Sequence, residues 1–412
     1  MADADFPTGL GVADAQMRIV EIAANCKLPA ETVAIEAALD RVLAADIFAP
    51  FDVPGFVNSA MDGFAVRGAD LSASGEKSFH LIGEIFAGGR EAPEVTADTC
   101  VRITTGAPLP RGADTVVMKE NSRVEGDHVV IAAGTAAAAN VRPAGEDFRA
   151  GDAALARGKL LTPARLGAIA SFGFATVQVA RRPRAVLLTT GDELVAPGRA
   201  LGFGQIHDSN RYCLGALLEQ HGAVLVRHER LRDDPAALRS ALQRAGNDAD
   251  LIISSGGVSA GEADYLPRLV AEIGEVHFWK VRMKPGMPFL CGRVGNSLAC
   301  ALPGNPVSGV ATFLTLVSPA LAALQGATET RAKLYARLKM PIRKQHTRAE
   351  FQRARLECDD TGALWATSLK RQGSGMLRGV AEADVLIVLP EAARDYAAGE
   401  VLQVLPLPGW CN

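Results

Sequence analysis

The sequence predicts a multi-domain α/β plus β protein, with a central βαβ domain, an inserted β-rich domain and a small β module at the C-terminus. Three observations predict this. From Arg184 onward apolar strand-like and helix-like segments alternate; between Ile47 and about Asn140 short apolar runs are separated by Gly, Pro and Asp; and short strand-like runs return after about residue 331. At 412 residues the chain exceeds one core and divides into two to four domains.

Near the N-terminus DAQMRIVEIAANC (14–26) spaces Met17, Val20, Ile22 and Ala24 as a loose helix, and ETVAIEAALDRVLA (31–44) reads as a second helical or mixed element. FHLIGEIF, CVRITTG, DTVVMKE and HVVIAAG then give the strands of the inserted domain. Within 141–180, TPARLGAIASFG starts as a helix capped by Thr162 with Pro163 in its first turn, and this part rejoins the N-terminal helices. The series AVLLTT, NRYCLGALLEQHG, AVLVRH, DPAALRSALQRAG, DLIISS and DYLPRLVAEIG is a βαβ succession with a mostly parallel sheet. An apolar helix of about 305–325 precedes LYARLKMPI, EFQRARLE, LWATSL, DVLIVLP and EVLQVLP. The expected domains are 1–46 with 141–180 (linking), 47–140 (inserted), 181–328 (α/β) and 329–412 (C-terminal β).

Composition excludes more than it assigns. Net charge is −3 with both signs interspersed, so no basic field recommends nucleic acid. MADADFPTGL lacks the basic and apolar parts of a signal peptide, and no apolar run is expected to reach the roughly 18 residues of a spanning helix, which reads as a cytoplasmic chain without membrane partners. Seven cysteines without a CxxC pair read as buried small hydrophobes, with Cys411 a tail residue.

Four strand-end loops suggest one site. In LIISSGGVSAGEADY (251–265), Gly256 and Gly257 let backbone N–H groups approach an anion, or simply make a tight strand-to-helix turn. Glu262 and Asp264 follow as carboxylates for a hard cation, or as a solvated acid and a helix cap. Asp192 and Glu193 in TTGDEL follow a strand, and one of them is expected to face the site. Lys280 and Lys284 neutralise an oxyanion or are surface lysines. Pro303, Gly304, Asn305 and Pro306 make a rigid corner before a helix. Asp62 is as easily a turn residue as a ligand, and spacing says nothing decisive of Arg353 or Ser374. In open α/β sheets ligands bind beyond the strand carboxyl ends, where these loops fall.

With FDVPGFVNSAMDGFAV, RITTGAPLPRGAD, TTGDELVAPG, IHDSN, SGGVSAGEADY, KVRMKPGMP, ALPGNPVS, EFQRARL and KRQGSGMLRG in order, nearly the whole chain resembles the molybdopterin molybdenumtransferase family, bacterial enzymes of molybdenum cofactor synthesis related to the gephyrin E domain. One departure is Phe64, where Tyr is as readily expected. The resemblance implies a molybdopterin-binding α/β domain, a C-terminal β barrel, and a homodimer whose cleft joins the α/β domain of one subunit to N-terminal parts of the other. It implies a Mg2+-dependent reaction of molybdate with adenylylated molybdopterin that releases AMP. By position, Asp62, Thr105, Asp147, Glu193, Asp233 and Asp264 would serve Mg2+ and the adenylate phosphate, with Glu193 and Asp264 as metal ligands. Lys280, Lys284, Ser308, Arg353 and Ser374 would surround molybdate, and Gly256, Gly257, Ser259, Pro303 and Pro306 would shape the pterin phosphate pocket. Partners would include a molybdopterin adenylyltransferase and downstream cofactor-maturation proteins. Two other readings are adenylylation of molybdopterin by ATP and a scaffold binding peptides through its C-terminal module.

Overall fold

The apolar runs RAVLLTT, LIISS and SLACAL lie side by side in a seven-stranded sheet. In the computed structural model, which describes residues 6–257, 265–329 and 332–409, its order is Thr8–Leu10, Gly274–Val281, Leu290–Val294, Ser297–Leu302, Leu251–Ser255, Arg184–Thr190 and Val224–Leu231. The last four strands run parallel, whereas Leu290–Val294 is antiparallel to both its neighbours. Both faces are covered: Ala185 and Leu187 enter one core cluster while Val186 and Leu188 enter another. Burial on two faces is why Arg184–Thr190, Leu251–Ser255 and Ser297–Leu302 read as near-continuous apolar runs rather than alternating ones. Ser259, Glu262, Asp264 and Cys411 lie outside the described residues.

Residues 8–25 depart from the expected linking part. Thr8–Leu10 pairs in parallel with Gly274–Val281, and helix Val12–Asn25 buries Ala15, Ile19 and Ala23 in the larger core cluster of the sheet. That i, i+4, i+8 stripe finds its partner in the helix Pro306–Leu324, almost 300 residues away. The second N-terminal element, expected as helical or mixed, is strand Ala30–Ala34, antiparallel to Thr176–Ala180, followed by a 3-10 turn at Ile35–Ala37. Thr32 and Val33 suit an extended pairing once a partner strand is available.

Pro306–Leu324 also corrects an expectation. With 19 residues and a mean hydropathy of 1.8 it is long and apolar enough to cross a membrane, yet 83% of its apolar window is buried inside the protein. Its middle is a π turn at Phe313–Val317. Pro319 has no N–H to give the Thr315 carbonyl, and Gln16 Nε2 donates to that oxygen at 2.8 Å.

Three short antiparallel pairs, Ala30–Ala34 with Thr176–Ala180, Ile47–Phe48 with Ala153–Leu155 and Asn58–Ser59 with Val141–Arg142, zip the outgoing and returning chain together. Between them hangs a six-stranded sheet, in order Thr115–Met118, Gly63–Val66, Thr99–Ile103, Glu76–Ile85, His128–Ala132 and Ser122–Glu125. Thr162 accepts from the Arg165 N–H at the start of helix Pro163–Ser171, as its sequence predicts. The Arg165 guanidinium in turn holds Glu329, at 2.5 and 2.7 Å.

At the C-terminus Ala349–Cys358, Leu364–Ser368, Leu334–Leu338, Val401–Pro406 and Val385–Leu389 pair in a ring that returns to Ala349–Cys358, a closed five-stranded barrel. Met283–Lys284, a two-residue strand, pairs in parallel with Ala349–Glu350 and stitches the barrel to the α/β sheet. Among the described cysteines Cys100, Cys291 and Cys300 are buried and Cys26 and Cys213 half-buried, but Cys358 is exposed at the end of a barrel strand, against the expectation of burial.

Candidate active site

The carboxyl ends of the four parallel strands open on a cleft of about 1010 Å³, closed on the far side by the barrel. Arg184–Thr190 delivers Thr190, Gly191 and Glu193; Leu251–Ser255 delivers Gly256 and Gly257; Ser297–Leu302 delivers Pro303 to Pro306 and Ser308; Val224–Leu231 delivers Asp233. The arrangement follows from parallel strands ending together at one edge. Gly256 sits at φ +101°, and a Cβ there would lie 2.5 Å from Thr190 Oγ1 and 2.7 Å from the Thr190 carbonyl. Only glycine lets the two loops approach so closely. Asn210 Nδ2 then joins two loops, donating to Ser255 Oγ at 2.8 Å and to the Gly304 carbonyl at 2.6 Å. Asp208, almost fully buried, accepts from Thr189 Oγ1 at 2.7 Å and from the Arg211 N–H at 3.1 Å.

Lys284 faces this edge from the barrel seam. Its strand register sets it opposite Glu350, and its Nζ lies 3.1 Å from Glu350 Oε1. His346 Nε2 lies 3.0 Å from Glu350 Oε2, and His346 Nδ1 accepts from the Arg348 N–H at 3.3 Å. That acceptor role puts the proton of a neutral imidazole on Nε2, donated to Glu350. Burial pulls the His346 pKa below its ordinary value, and Lys284 and Lys344 add to the effect against the opposing pull of Glu350. The cleft lining carries four carboxylates (Glu193, Asp208, Asp233, Glu350) against two permanent cations, Lys284 and Arg348. An anionic ligand entering it therefore needs further positive charge.

Three family models match the chain in order: "MoeA N-terminal region (domain I and II)" over 10–173, "Probable molybdopterin binding domain" over 186–323 and "MoeA C-terminal region (domain IV)" over 335–407. The molybdopterin molybdenumtransferase of Haemophilus influenzae is 38% identical over 375 residues, 90% of this chain and 92% of that protein. This chain belongs to the molybdopterin molybdenumtransferase family. Another molybdenumtransferase, molybdopterin molybdenumtransferase 2 of Mycobacterium tuberculosis, is 37% identical over 91% of this chain and 95% of that protein. The molybdopterin biosynthesis moeA protein of Pyrococcus horikoshii OT3 superposes with a TM-score of 0.83 at 27% identity, covering 97% of this chain and all of that one.

Within this molybdenumtransferase fold the described residues among those proposed from sequence divide into three groups. Glu193, Asp233, Gly256, Gly257, Lys284, Pro303, Pro306, Ser308 and Ser374 line the cleft together. Ser374 arrives from the barrel, where its Oγ accepts from Asn305 Nδ2 at 3.1 Å and its carbonyl accepts from the Val307 N–H. Asp62, Thr105 and Asp147 are exposed and lie outside the cleft lining. Asp62 Oδ1 accepts both the N–H and the Oγ1 of Thr105, at 2.8 and 3.0 Å, and these bonds hold its carboxyl below the usual carboxylate range.

Lys280 and Arg353 form the third group, present in the fold but turned to structural work. Lys280 lies at φ +60° with its Nζ 4.1 Å from the Trp279 ring centroid, outside the cleft lining. Arg353 is 1% exposed and donates to the carbonyls of Gly373 at 3.0 Å and Arg371 at 2.7 Å. It holds the loop that presents Ser374 instead of lining the cleft itself. Spacing missed Thr190, Asp208, Asn210, Arg348 and Glu350. The motif IHDSN could have pointed to Asp208 and Asn210; Glu350, in the mixed polar and apolar strand AEFQRARLEC, carries no local signal.

Proposed function

We propose that this chain inserts molybdenum from molybdate into adenylylated molybdopterin, releasing AMP in a Mg2+-dependent step, and that it acts as a homodimer. The observation that carries the reading is the meeting, in one cleft, of the strand-end loops of the α/β sheet with Lys284 and Ser374 at the barrel seam. The pterin phosphate suits the Gly256–Gly257 and Pro303–Pro306 loops, whose backbone comes close without bulky side chains. Molybdate suits the barrel side of the cleft, where the Lys284 ammonium offers three donors and the Ser374 hydroxyl joins the lining, with the Ser308 hydroxyl on the facing α/β side.

The donor set also fits Mg2+. Glu193 and Asp233 both line the cleft, and among the described residues neither carboxylate is engaged in an ion pair. One or two carboxylates together with substrate phosphate oxygens are what Mg2+ takes. Asp264, the other proposed ligand, lies outside the described residues. Bound there, Mg2+ supplies Lewis-acid polarisation of the phosphoanhydride. The chain's own contribution is positional: Glu350, with His346 behind it, fixes Lys284 toward the oxyanion, and Arg353 fixes the loop of Ser374. Both keep the metal oxyanion near the dithiolene sulfurs, where Mo–S bonds would replace Mo–O bonds as an oxo group takes the thiol protons and leaves as water.

A homodimer is supported by the apolar residues Phe48, Phe51, Phe56, Val57 and Met61, exposed along one segment that ends at Asp62. A second subunit folded onto this segment brings Asp62, Thr105 and Asp147 to the cleft of its partner. The test is AMP release from adenylylated molybdopterin and Mg2+ with and without molybdate. Molybdate-stimulated release with molybdenum retained on the pterin supports the reading; release indifferent to molybdate overturns it.

A further inference from the structure

The outer edge of the inserted sheet carries a feature that the cleft does not use. Gly126 and Asp127 form the two-residue turn between Ser122–Glu125 and His128–Ala132, with Gly126 at φ +65° as the first central position of such a turn requires. His128 pairs in register with His80 of the neighbouring antiparallel strand, so both imidazoles project from one face, their ring centroids 5.3 Å apart. The Asp127 carboxylate lies between them. Its Oδ1 is 2.7 Å from His128 Nδ1 and its Oδ2 is 3.7 Å from His80 Nδ1.

We propose that His80, Asp127 and His128 form a binding site for a divalent first-row transition-metal ion, Zn2+ foremost, separate from the cation of the cleft. One ligand atom from each residue lies within 4.8 Å of the others, and among the described residues this is the single such group of His, Cys, Asp and Glu. A tetrahedral ion with bonds of about 2.0–2.1 Å separates its ligand atoms by roughly 3.4 Å. The 2.7 and 3.7 Å spacings bracket that distance, so small side-chain adjustments complete a three-ligand site. Two imidazoles and one carboxylate select Zn2+, Cu2+ or Ni2+ over Mg2+, which prefers an all-oxygen shell. The three side chains are between 48% and 72% exposed, which leaves the remaining coordination position open to water or to a ligand from outside. Because His80 and the turn sit on different strands, the bound ion ties the hairpin to the strand Glu76–Ile85.

The experiment is calorimetric titration of the chelator-treated full chain with Zn2+, in wild type, in a His80→Ala/His128→Ala double variant and in Asp127→Asn. Wild type is expected to bind one equivalent more than the double variant, and Asp127→Asn to bind that equivalent at least tenfold more weakly. Zn2+ should raise Tm in wild type and not in the double variant, and the Co2+-loaded wild type should show a ligand-field absorption that the double variant lacks. The three side chains lie on the surface, so circular dichroism of the unloaded variants should match wild type. Equal Zn2+ stoichiometry in wild type and double variant overturns the site. Displacement of the Zn2+ by comparable Mg2+ overturns its chemical class.

Discussion

Lys284 meets Glu350 through strand register, and the pair gives the sharpest residue-scale expectations. Lys284→Ala should lower molybdate-stimulated AMP release by about 100-fold, the equivalent of roughly 2.7 kcal/mol of lost oxyanion stabilisation. Glu350→Gln should cost about tenfold, mainly by raising KM for molybdate, because the ammonium remains but its direction is no longer fixed. Steady-state kinetics against molybdate checks both, and an unchanged KM in Glu350→Gln would refute the positioning role. Gly256→Ala meets Thr190 in a left-handed conformation and should destabilise the fold by about 1–3 kcal/mol in urea unfolding. Gly256 and Lys284 were legible because glycine after a strand and lysine before proline are local signals. Glu350 and the structural use of Arg353 were not, since each depends on a pairing with residues distant in sequence.

At the scale of elements, Glu329 joins the end of the long apolar helix to the linking part through Arg165 and Lys159. The Arg165 hydrogen bond, with smaller help from Leu160 N–H and Lys159, lowers its pKa from 4.5 to about 2. A carboxyl depressed in the folded state stabilises above its unfolded pKa and loses that contribution as pH falls through the folded one. Wild type should therefore exceed Glu329→Gln in Tm at pH 7, and the gap should close between about pH 4.5 and pH 2. A gap constant across that range would contradict the ion-pair origin. Gln16→Ala should leave the Thr315 carbonyl unsatisfied and cost about 1–2 kcal/mol in chemical denaturation. The alternating elements from Arg184 were legible because period and turn chemistry are local. Segment 31–44 was not: its residues tolerate helix, and the partner strand Thr176–Ala180 decides the outcome from across the insertion.

For the whole molecule, the order of modules could be read from texture alone, while their seams could not. Nothing in residues 8–25 announces that they complete a sheet built mostly after residue 184, because the stripe Ala15, Ile19, Ala23 fits many partners. The cleft likewise owes one wall to the α/β strands and another to the barrel, a juxtaposition that spacing cannot encode. The proposed dimer yields a subunit-mixing prediction. Asp62→Ala and Lys284→Ala should each keep only about one per cent of activity alone, yet co-refolding equal amounts should restore about a quarter of wild-type activity, since half of randomly paired dimers are mixed and each mixed dimer holds one intact site of two. No recovery on mixing would place Asp62 and Lys284 outside a shared site.

The two-residue strand Met283–Lys284 has a mechanical consequence. By chain position Lys284 belongs with the α/β sheet, but by hydrogen bonding it travels with the barrel strand Ala349–Glu350. A rotation of the barrel about that seam would carry Lys284, Glu350 and Ser374 as one jaw, leaving Ser308, Gly256 and Glu193 as the other. For the proposed reaction the spacing between the jaws would then act as a gauge of the guest, the angle between two domains setting how closely an oxyanion is gripped.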